Sequence, residues 1–400
     1  MRSDKFDTIA LFAALSLFLS IIELLIPKPF PFFRIGLANL PLLLALTFFT
    51  PGEFILLVLL KIFGQAIVAG TLFSYVFLFS AVGSVSAGLV MLSFRRLYPR
   101  FISLVGISVA GAFGSNCAQL FFAAWMIFGR STRLIAPPFL LAGTISGILL
   151  GSAAMFMLHN SRWLQGYSPA AVHMPASPKA EETILKRSYM KNTRGDILLL
   201  AAGLAMIPPF IFQSSIVLKA VHIVLFLIYG FVLGKRIRII PGIIILCTVT
   251  AASLLDPLGE VFLYIGSFPL TMGAFRQGLT RGLNLIGMVY LSRCTISTRL
   301  RIPGEYGRLF YKVFFYFEEL SSIRLEKGFS GGLMKNIREK LSQLDTRLMM
   351  WSSGHTENTV KPAEDAAEDA AEKNRRFICI TVLIMMFLHW ALFFIVKFGR

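Results

Sequence analysis

Charged residues are scarce in this sequence, and acidic residues are the scarcer kind. Asp, Glu, Lys and Arg make up 15% of the 400 residues, whereas soluble domains contain about 25%. Hydrophobic residues reach 56%, and the mean hydropathy is +0.72. These values exclude an ordinary soluble enzyme and predict a multi-pass membrane protein. The 39 Lys and Arg residues cluster in short connections between apolar runs, as in cytoplasmic membrane loops, so we expect no nucleic-acid partner.

Signatures of nucleotide, magnesium and zinc chemistry are also missing. The segment 230–236 lacks both the spacing and the final hydroxyl of a phosphate-binding loop. The acidic cluster at 364–372 has no apolar surroundings in which magnesium could be held on a diphosphate. The four cysteines and five histidines are scattered, without zinc or catalytic-triad spacing. We therefore expect no enzyme activity, no metal site and no cofactor bound directly to the chain.

Long apolar runs divide the chain into two membrane domains. The predicted fold is an all-α membrane protein with about eleven spans, six before a polar linker and five after it. The first six runs are 8–26, 36–50, 54–72, 74–93, 101–128 and 134–158. The later runs are 196–212, 214–233, 237–255, 274–296 and 377–397. The amino terminus and the basic loop 95–100 fall on one side, which their Lys and Arg residues mark as cytoplasmic.

The runs predict domain boundaries. We assign a six-span bundle to 1–158, a cytoplasmic linker to 159–194, a second membrane domain to 195–350, a polar tether, solvated or weakly helical, to 351–375, and a last span to 376–400. Within the second domain, 303–328 and 332–350 have the apolar spacing of amphipathic helices. This pair either offers one face to a partner beside the membrane or only covers the ends of the spans.

Polar residues inside the first six spans are costly and therefore informative. Lys61 and Gln65 share a helix face, as do Asn116 and Gln119. With Asn39, we expect these side chains to line a pocket for a small polar or amphipathic solute. Alternatively, they form hydrogen bonds that hold the helices together. The interrupting polar residues are Glu23, Asn39, Lys61, Gln65, Asn116 and Gln119.

Small residues four positions apart mark a face of the first span. Ala10 and Ala14 have this spacing, which lets a neighbouring helix approach closely. Packing within the first domain is one explanation. A docking face for the second domain is the other.

Three stretches of the first domain carry a resemblance to a known family. They are 35–40 (Ile-Gly-Leu-Ala-Asn-Leu), 70–74 (Gly-Thr-Leu-Phe-Ser) and 108–112 (Ser-Val-Ala-Gly-Ala), the last followed by Asn116 and Gln119. Residues 6–158 resemble the small membrane family called heptaprenyl diphosphate synthase component I, or Gx transporter. That family is similar to the substrate-binding S components of energy-coupling factor transporters. The resemblance implies a six-helix fold whose first helix docks through an Ala-x-x-x-Ala motif, here Ala10 and Ala14.

The second domain resembles the transmembrane T component of the same transporters. The resemblance covers 196–397 and is strongest at 263–279 (Leu-Tyr-Ile-Gly-Ser-Phe-Pro-Leu-Thr-Met-Gly-Ala-Phe-Arg-Gln-Gly-Leu). In that family, cytoplasmic coupling helices end in Ala-Arg-Gly or Ala-Arg-Ser motifs that insert into two ATPase subunits. The resemblance implies ATPase coupling by Arg324, Arg338 and Arg347, although the small residues that flank the arginine in the family are absent here.

Together, the resemblances imply a fused solute-binding and coupling component of an energy-coupling factor type ABC importer. Its expected location is the bacterial cytoplasmic (inner) membrane, with the amino terminus in the cytoplasm. Its expected partners are a small-molecule solute, the lipid membrane and two separate ATP-binding cassette subunits that hydrolyse ATP. The family name suggests an alternative, a noncatalytic membrane subunit in heptaprenyl diphosphate synthesis for isoprenoids or quinones. A third interpretation is a facilitator or structural membrane protein that works without ATP.

Overall fold

The computed structural model is mostly α-helical. It describes residues 2–25, 36–129, 132–161, 164, 198, 200–232, 239–255, 259–265, 268–296, 305–322 and 365–398. The first half contains α1 (Arg2–Leu25), α2 (Leu40–Phe48), α3 (Pro51–Ala69), α4 (Tyr75–Phe94), α5 (Leu104–Ala123) and α6 (Thr132–Asn160). Short 3-10 turns at Leu37–Asn39 and Arg95–Leu97 flank α2 and α4, and a π-helical turn at Ala124–Phe128 extends α5. The second half contains α7 (Leu200–Ile211), α8 (Ile216–Val232), α9 (Ile240–Leu254), α10 (Met272–Thr295), α11 (Glu305–Ser322) and α12 (Asp365–Phe398).

Local sequence signals set both ends of α3. Thr50 Oγ1 accepts a hydrogen bond from the Glu53 N–H at 3.5 Å, and the Glu53 carboxylate accepts one from the Thr50 N–H at 2.8 Å. Pro51 occupies the first turn, where a missing N–H costs no helical hydrogen bond. Gly70 ends the helix with a φ of 62°, a left-handed conformation that glycine adopts without strain. These fixed ends determine how deep each side chain of α3 lies in the bundle.

The second predicted span, 36–50, is not a single crossing helix. α2 has nine residues, which rise about 13 Å, whereas the hydrocarbon core of a bilayer is about 30 Å thick. All residues from Leu40 to Leu46 are buried, so this apolar run packs inside the bundle. Among the described residues, α1, α3, α4, α5 and α6 are long and apolar enough to span a membrane. The six-span prediction is therefore corrected to five long helices and one short buried helix.

A β-hairpin interrupts the predicted all-α fold. Strand β1 (Val261–Ile265) pairs antiparallel with β2 (Phe268–Thr271), with Val261 opposite Thr271. The strands are rich in aromatic and β-branched residues, which favour extended backbone. In the sequence, Gly266 and Ser267 separate the two runs, a spacing typical of a hairpin. The described chain is mostly helical, as predicted, and this short hairpin is a local exception to the all-α fold.

The final helix begins before the predicted last span. α12 has 34 residues and starts at Asp365, so it includes part of the segment 351–375 assigned to a tether. Ala and Glu are strong helix formers, and the Ala-Glu-Asp repeat therefore continues the span as a helix. The predicted tether is therefore helical from Asp365 onward. The predicted boundary between tether and last span, at 375–376, falls inside α12.

Apolar side chains form one large core in each half of the chain. The first gathers side chains of α1, α2 and α3, such as Phe12, Leu43 and Leu57. The second gathers side chains of α7, α8, α10 and α12, such as Phe210 and Leu291. Two residues of α11, from the second half, belong to the first core. The two halves of the chain therefore share packing through α11.

Candidate functional site: a polar cavity and an interdomain contact

A polar cavity lies inside the first bundle and is lined by α1, the 3-10 turn before α2, α3, α4, α5 and α6. Its volume is about 70 Å³. All five residues predicted to bind a solute line it: Asn39, Lys61, Gln65, Asn116 and Gln119. The fold thus brings together side chains that lie up to 80 positions apart in the sequence. Their role in binding stays a prediction.

Lys61 supplies a buried cation to this cavity. It lies in the middle of α3 and is 3% exposed. Its Nζ donates hydrogen bonds to Asn39 Oδ1 and, at 3.2 Å, to Ser84 Oγ. Asn39 and Ser84 are neutral, and these hydrogen bonds position the Lys61 side chain in the cavity. A cation inside a membrane bundle is costly to bury and is therefore a candidate for function.

The two amides of α5 reach the cavity because glycines make room for them. Asn116 Nδ2 donates to a backbone carbonyl of α6 at 3.1 Å, and Gln119 Nε2 donates to a hydroxyl one turn earlier on α5 at 3.2 Å. A Cβ atom at Gly143 would overlap Asn116 Nδ2, and one at Gly83 would overlap Gln119 Nε2. Only glycine at these two positions leaves both amides where they are.

Glu23 belongs to the cavity but was not in the predicted binding set. Its side chain is 5% exposed and lines the cavity, and its Oε2 accepts a hydrogen bond from the Gly36 N–H at 3.1 Å. Ser20, also on α1, accepts a hydrogen bond from Gln65 Nε2 at 2.6 Å. A carboxylate in an apolar run was a visible signal. Its proximity to Gly36 depends on how the chain folds back after α1, which periodicity does not predict.

A helix from the second half of the chain packs along α1. Ala14 of α1 forms a buried cluster with Leu320 of α11, and Val313 of α11 is buried in the core of the first bundle. The Lys312 ammonium forms an ion pair with the Asp7 carboxylate. The contact runs from Asp7 to Ala14 on one helix and from Lys312 to Leu320 on the other. The two helices therefore lie side by side and point the same way.

The predicted docking pair is located in this contact. Ala10 and Ala14 are fully buried, and with Asp7 they follow steps of three and four residues, which places all three on one face of α1. Their small side chains let bulky residues of α11 approach α1 closely. Burial raises the pKa of the Tyr316 hydroxyl on α11, with a smaller contribution from the nearby Asp7 carboxylate. The contact is therefore largely dry, and its role in docking stays a prediction.

A second contact joins the turn after α3 to the end of α10. The Phe73 N–H donates a hydrogen bond to Ser292 Oγ at 3.2 Å. A Cβ atom at Gly70 would lie 3.5 Å from the Arg293 Cα, and one at Gly203 of α7 would meet the Phe73 ring at 2.7 Å. The end of the first bundle that carries this turn thus packs closely against α7 and α10.

The second half contains buried polar side chains of its own. Lys219 donates hydrogen bonds to Asn284 Oδ1 at 2.5 Å and to the Ile211 carbonyl at 3.2 Å, which stabilises the carboxyl end of α7. The rings of His222 and His389, which are far apart in the sequence, have centroids 4.5 Å apart. In the described part of the chain, no group of three or more His, Cys, Asp or Glu is arranged to hold a metal. These contacts connect α7, α8, α10 and α12.

The predicted ATPase-coupling arginines lie outside the described residues. Arg324, Arg338 and Arg347 follow the carboxyl end of α11, which is described as far as Ser322. The second amphipathic segment, 332–350, also lies outside. Of the predicted helix 303–328, the part from Glu305 to Ser322 is helical, with an apolar face on α1 and exposed Glu318 and Ser321 on the other side.

These features define a class, a membrane-embedded, mostly helical protein with a buried polar cavity in its first bundle. Residues 12–157 match the model of a family described as heptaprenyl diphosphate synthase component I. Residues 196–298 match the model of a domain of unknown function, DUF8519. No curated protein and no solved structure matches the chain. The match over residues 12–157 agrees with the predicted resemblance of the first half to that family. The likeness of the first half to an S component stays a prediction. The resemblance of the second half to a T component gains no support and also stays a prediction.

Proposed function

We propose that the chain is the membrane component of an energy-coupling factor type ABC importer for a small metabolite. In this proposal 1–158 binds the solute, 159–194 links, and the remainder couples to two separate ATP-binding cassette subunits. In this proposal ATP is hydrolysed on those subunits, so the chain is not itself an enzyme. It is coupled to ATP hydrolysis only through its partners. The observation that carries the proposal is the packing of α11, beyond the linker, along α1 of the cavity-forming bundle.

The structure of α1 supports a route for coupling. Its carboxyl-terminal part contributes Ser20 and Glu23 to the cavity region, and its middle packs against α11 through Ala14. A displacement of α11 therefore moves α1, and with it the Glu23 carboxylate. For this movement to drive transport, nucleotide must stabilise one position of α11 more than the other, and solute must discriminate between the corresponding states of the bundle.

The contact at the end of α10 supports a tilted bundle. α3 starts beside the amino terminus, where Lys5 Nζ and Glu53 Oε1 lie 3.5 Å apart. The turn at 70–74 is therefore on the opposite, outer side of an upright bundle. The basic residues after α10 place its carboxyl end, at Ser292, on the cytoplasmic side. If both domains were upright, the turn at 70–74 and the carboxyl end of α10 would be about 30 Å apart. Phe73 and Ser292 nevertheless share a hydrogen bond.

We infer that the first bundle lies on its side against the coupling domain in this state. The turn at 70–74 is then near the cytoplasmic face. The cavity is turned away from the orientation towards the two membrane faces that it has in an upright bundle. Return to an upright position under the control of the ATPase subunits completes a transport cycle. The bacterial cytoplasmic membrane and a cytoplasmic amino terminus are part of this proposal.

A second candidate function is favoured by the description of the matching family. In it, the chain is a noncatalytic membrane subunit that supports heptaprenyl diphosphate synthesis. The polar cavity and the contact between α1 and α11 have no assigned task in that function. The two candidates differ in their partners, since one requires ATP-binding cassette subunits and the other a prenyl-diphosphate synthase.

Affinity purification of the whole chain from its native cell tests the proposal. We expect two ATP-binding cassette subunits, and a small molecule, to co-elute. Charge reversal at Arg324 together with Arg347 is expected to remove the ATPase subunits, because the coupling segment would lose its cationic contacts. The matched control is charge reversal at Arg96 together with Arg100, which are exposed on a predicted cytoplasmic loop. Co-elution of a prenyl synthase without ATPase subunits contradicts the importer proposal, and undiminished ATPase recovery excludes these arginines as the contact.

A further inference from the structure

Three arginines cluster in the connection between α4 and α5, on the side predicted to be cytoplasmic. Arg95 and Arg96 belong to the 3-10 turn that follows α4, and Arg100 precedes the start of α5. The sequence contains no Asp or Glu at positions 54–180. The three positive charges of this loop are therefore not balanced by an acidic neighbour in the sequence.

The guanidinium group of Arg95 has a buried nitrogen without a hydrogen-bond acceptor. Arg95 Nη1 is buried and makes no hydrogen bond with the described residues. Within the part of the chain that the structure describes, none of the three arginines takes part in an ion pair. Two carboxylates at the same end of the bundle are already engaged, because Glu53 pairs with Lys5 and Asp7 pairs with Lys312. A buried cationic donor without an acceptor costs free energy, so this position favours an anion from outside the chain.

Exposed apolar side chains accompany these charges. Leu97 and Phe101 are 38% and 77% exposed, whereas Tyr98 and Ile102 pack against the core of the first bundle. The core contacts hold the loop in place. Exposed aromatic and aliphatic side chains beside arginines are typical of a membrane interface, where the apolar groups contact acyl chains and the cations contact phosphate groups. The loop therefore offers both kinds of contact that a phospholipid makes.

We propose that this loop binds the headgroup phosphate of an anionic phospholipid from the cytoplasmic leaflet. Arg95 donates hydrogen bonds to the phosphate oxygens, because a guanidinium group matches their geometry with two parallel N–H groups. Arg96 and Arg100 attract the negative headgroup, and Leu97 and Phe101 contact the acyl chains. The proposal does not depend on the import of a solute, since both candidate functions place this loop at the same membrane surface.

Lipid titration of the purified full-length chain tests the proposal, with native mass spectrometry as the readout. Dioleoyl phosphatidylglycerol, which has a net negative charge, and dioleoyl phosphatidylcholine, which has none, are added in separate titrations to the delipidated chain in detergent. We expect the dissociation constant for phosphatidylglycerol to be lower by about tenfold or more, because the arginines attract net negative charge. Equal dissociation constants for the two lipids would overturn the proposal.

Two variants separate a defined phosphate site from a diffuse positive surface. Arg95→Lys keeps the charge but loses the paired N–H groups, so we expect it to weaken phosphatidylglycerol binding by roughly threefold or more. Replacing all three arginines with glutamine is expected to abolish the preference over phosphatidylcholine. Arg133→Lys, at an exposed position on the predicted outer side, is the matched control and should bind like the unchanged chain. Unchanged binding by Arg95→Lys would show that charge alone attracts the lipid, which contradicts the proposed site.

Competition with a free anion distinguishes a lipid from a soluble phosphate ligand. Inorganic phosphate at millimolar concentration is added to the lipid-bound chain, beside chloride at the same ionic strength. We expect the lipid to stay bound in both. Displacement by phosphate and not by chloride would show that the site takes a free anion, which contradicts a lipid ligand. Melting temperatures identify any variant that fails to fold. If the glutamine variant does not fold, the comparison of Arg95→Lys with Arg133→Lys and the two lipid titrations still decide the question.

Discussion

Replacing Ala10 and Ala14 with leucine is expected to lower ATP-driven uptake at least tenfold while solute binding by the first bundle persists. Both alanines are fully buried, on the face of α1 whose Asp7 and Ala14 meet α11. Leucine at either position must push the helices apart, and overpacking of this kind costs about 1–3 kcal/mol at each site. Since about 1.4 kcal/mol corresponds to a factor of ten, we expect uptake to fall at least tenfold.

Uptake of the co-purifying solute into proteoliposomes that contain the ATPase subunits measures this effect. Ala251→Leu, on an exposed position of α9, is the matched control and should transport like the unchanged protein. A second variant, Leu320→Ala, weakens the same contact by a change in α11. Because α1 is unchanged in this variant, a loss of uptake would not be due to misfolding of α1. Normal uptake by both the leucine and the Leu320 variants would show that the contact between α1 and α11 is not the coupling element.

Adding one methyl group at Gly143 and at Gly83 is expected to weaken solute binding more than any change outside the cavity. The new Cβ atoms would occupy the positions of Asn116 Nδ2 and Gln119 Nε2. Both amides are the far ends of flexible side chains, so the helices stay packed while the amides swing into the cavity. We expect Gly143→Ala combined with Gly83→Ala to lower affinity at least tenfold and to change the melting temperature of the ligand-free chain little.

Equilibrium binding of the co-purifying solute to the detergent-solubilised chain checks this prediction. Gly52→Ala is the matched control, because no atom lies within 4 Å of the Cβ that it introduces. An affinity within twofold of the unchanged protein in the double alanine variant would exclude the amides from the binding site.

The polar positions of the cavity were predictable from the sequence because a membrane span penalises them. Lys61 and Asn116 stand out in apolar runs, and the cost of burying them in lipid predicts that they face one another inside the bundle. Glu23 is also a charged residue in an apolar run. Its position in the cavity, however, depends on its hydrogen bond with the Gly36 N–H, which joins α1 to the segment before α2. Periodicity identifies the face of a helix and gives no information about a chain reversal between helices.

The differences in the fold have local causes as well. Hydropathy counts apolar residues and is insensitive to whether they span a bilayer or pack inside protein, so α2 was predicted as a span although it is nine residues long. The hairpin at 261–271 is too short to form an apolar run of span length, so hydropathy does not predict it. The pairing of α11 with α1 joins segments about 300 positions apart. Spacing of small residues suggested a docking face on α1, and it did not indicate which helix would occupy it.

The central claim is that ATP moves the first bundle relative to the coupling domain. The most direct test is to measure from which side of the membrane position 71 can be labelled. Thr71→Cys, in a chain whose four native cysteines are replaced by alanine, is labelled in membrane vesicles with an impermeant maleimide. Arg100→Cys and Glu260→Cys mark the predicted cytoplasmic and outer sides. With the ATPase subunits present, we predict labelling of Thr71→Cys from the cytoplasmic side without ATP and from the outer side with ATP. Labelling from the outer side under both conditions would contradict the account.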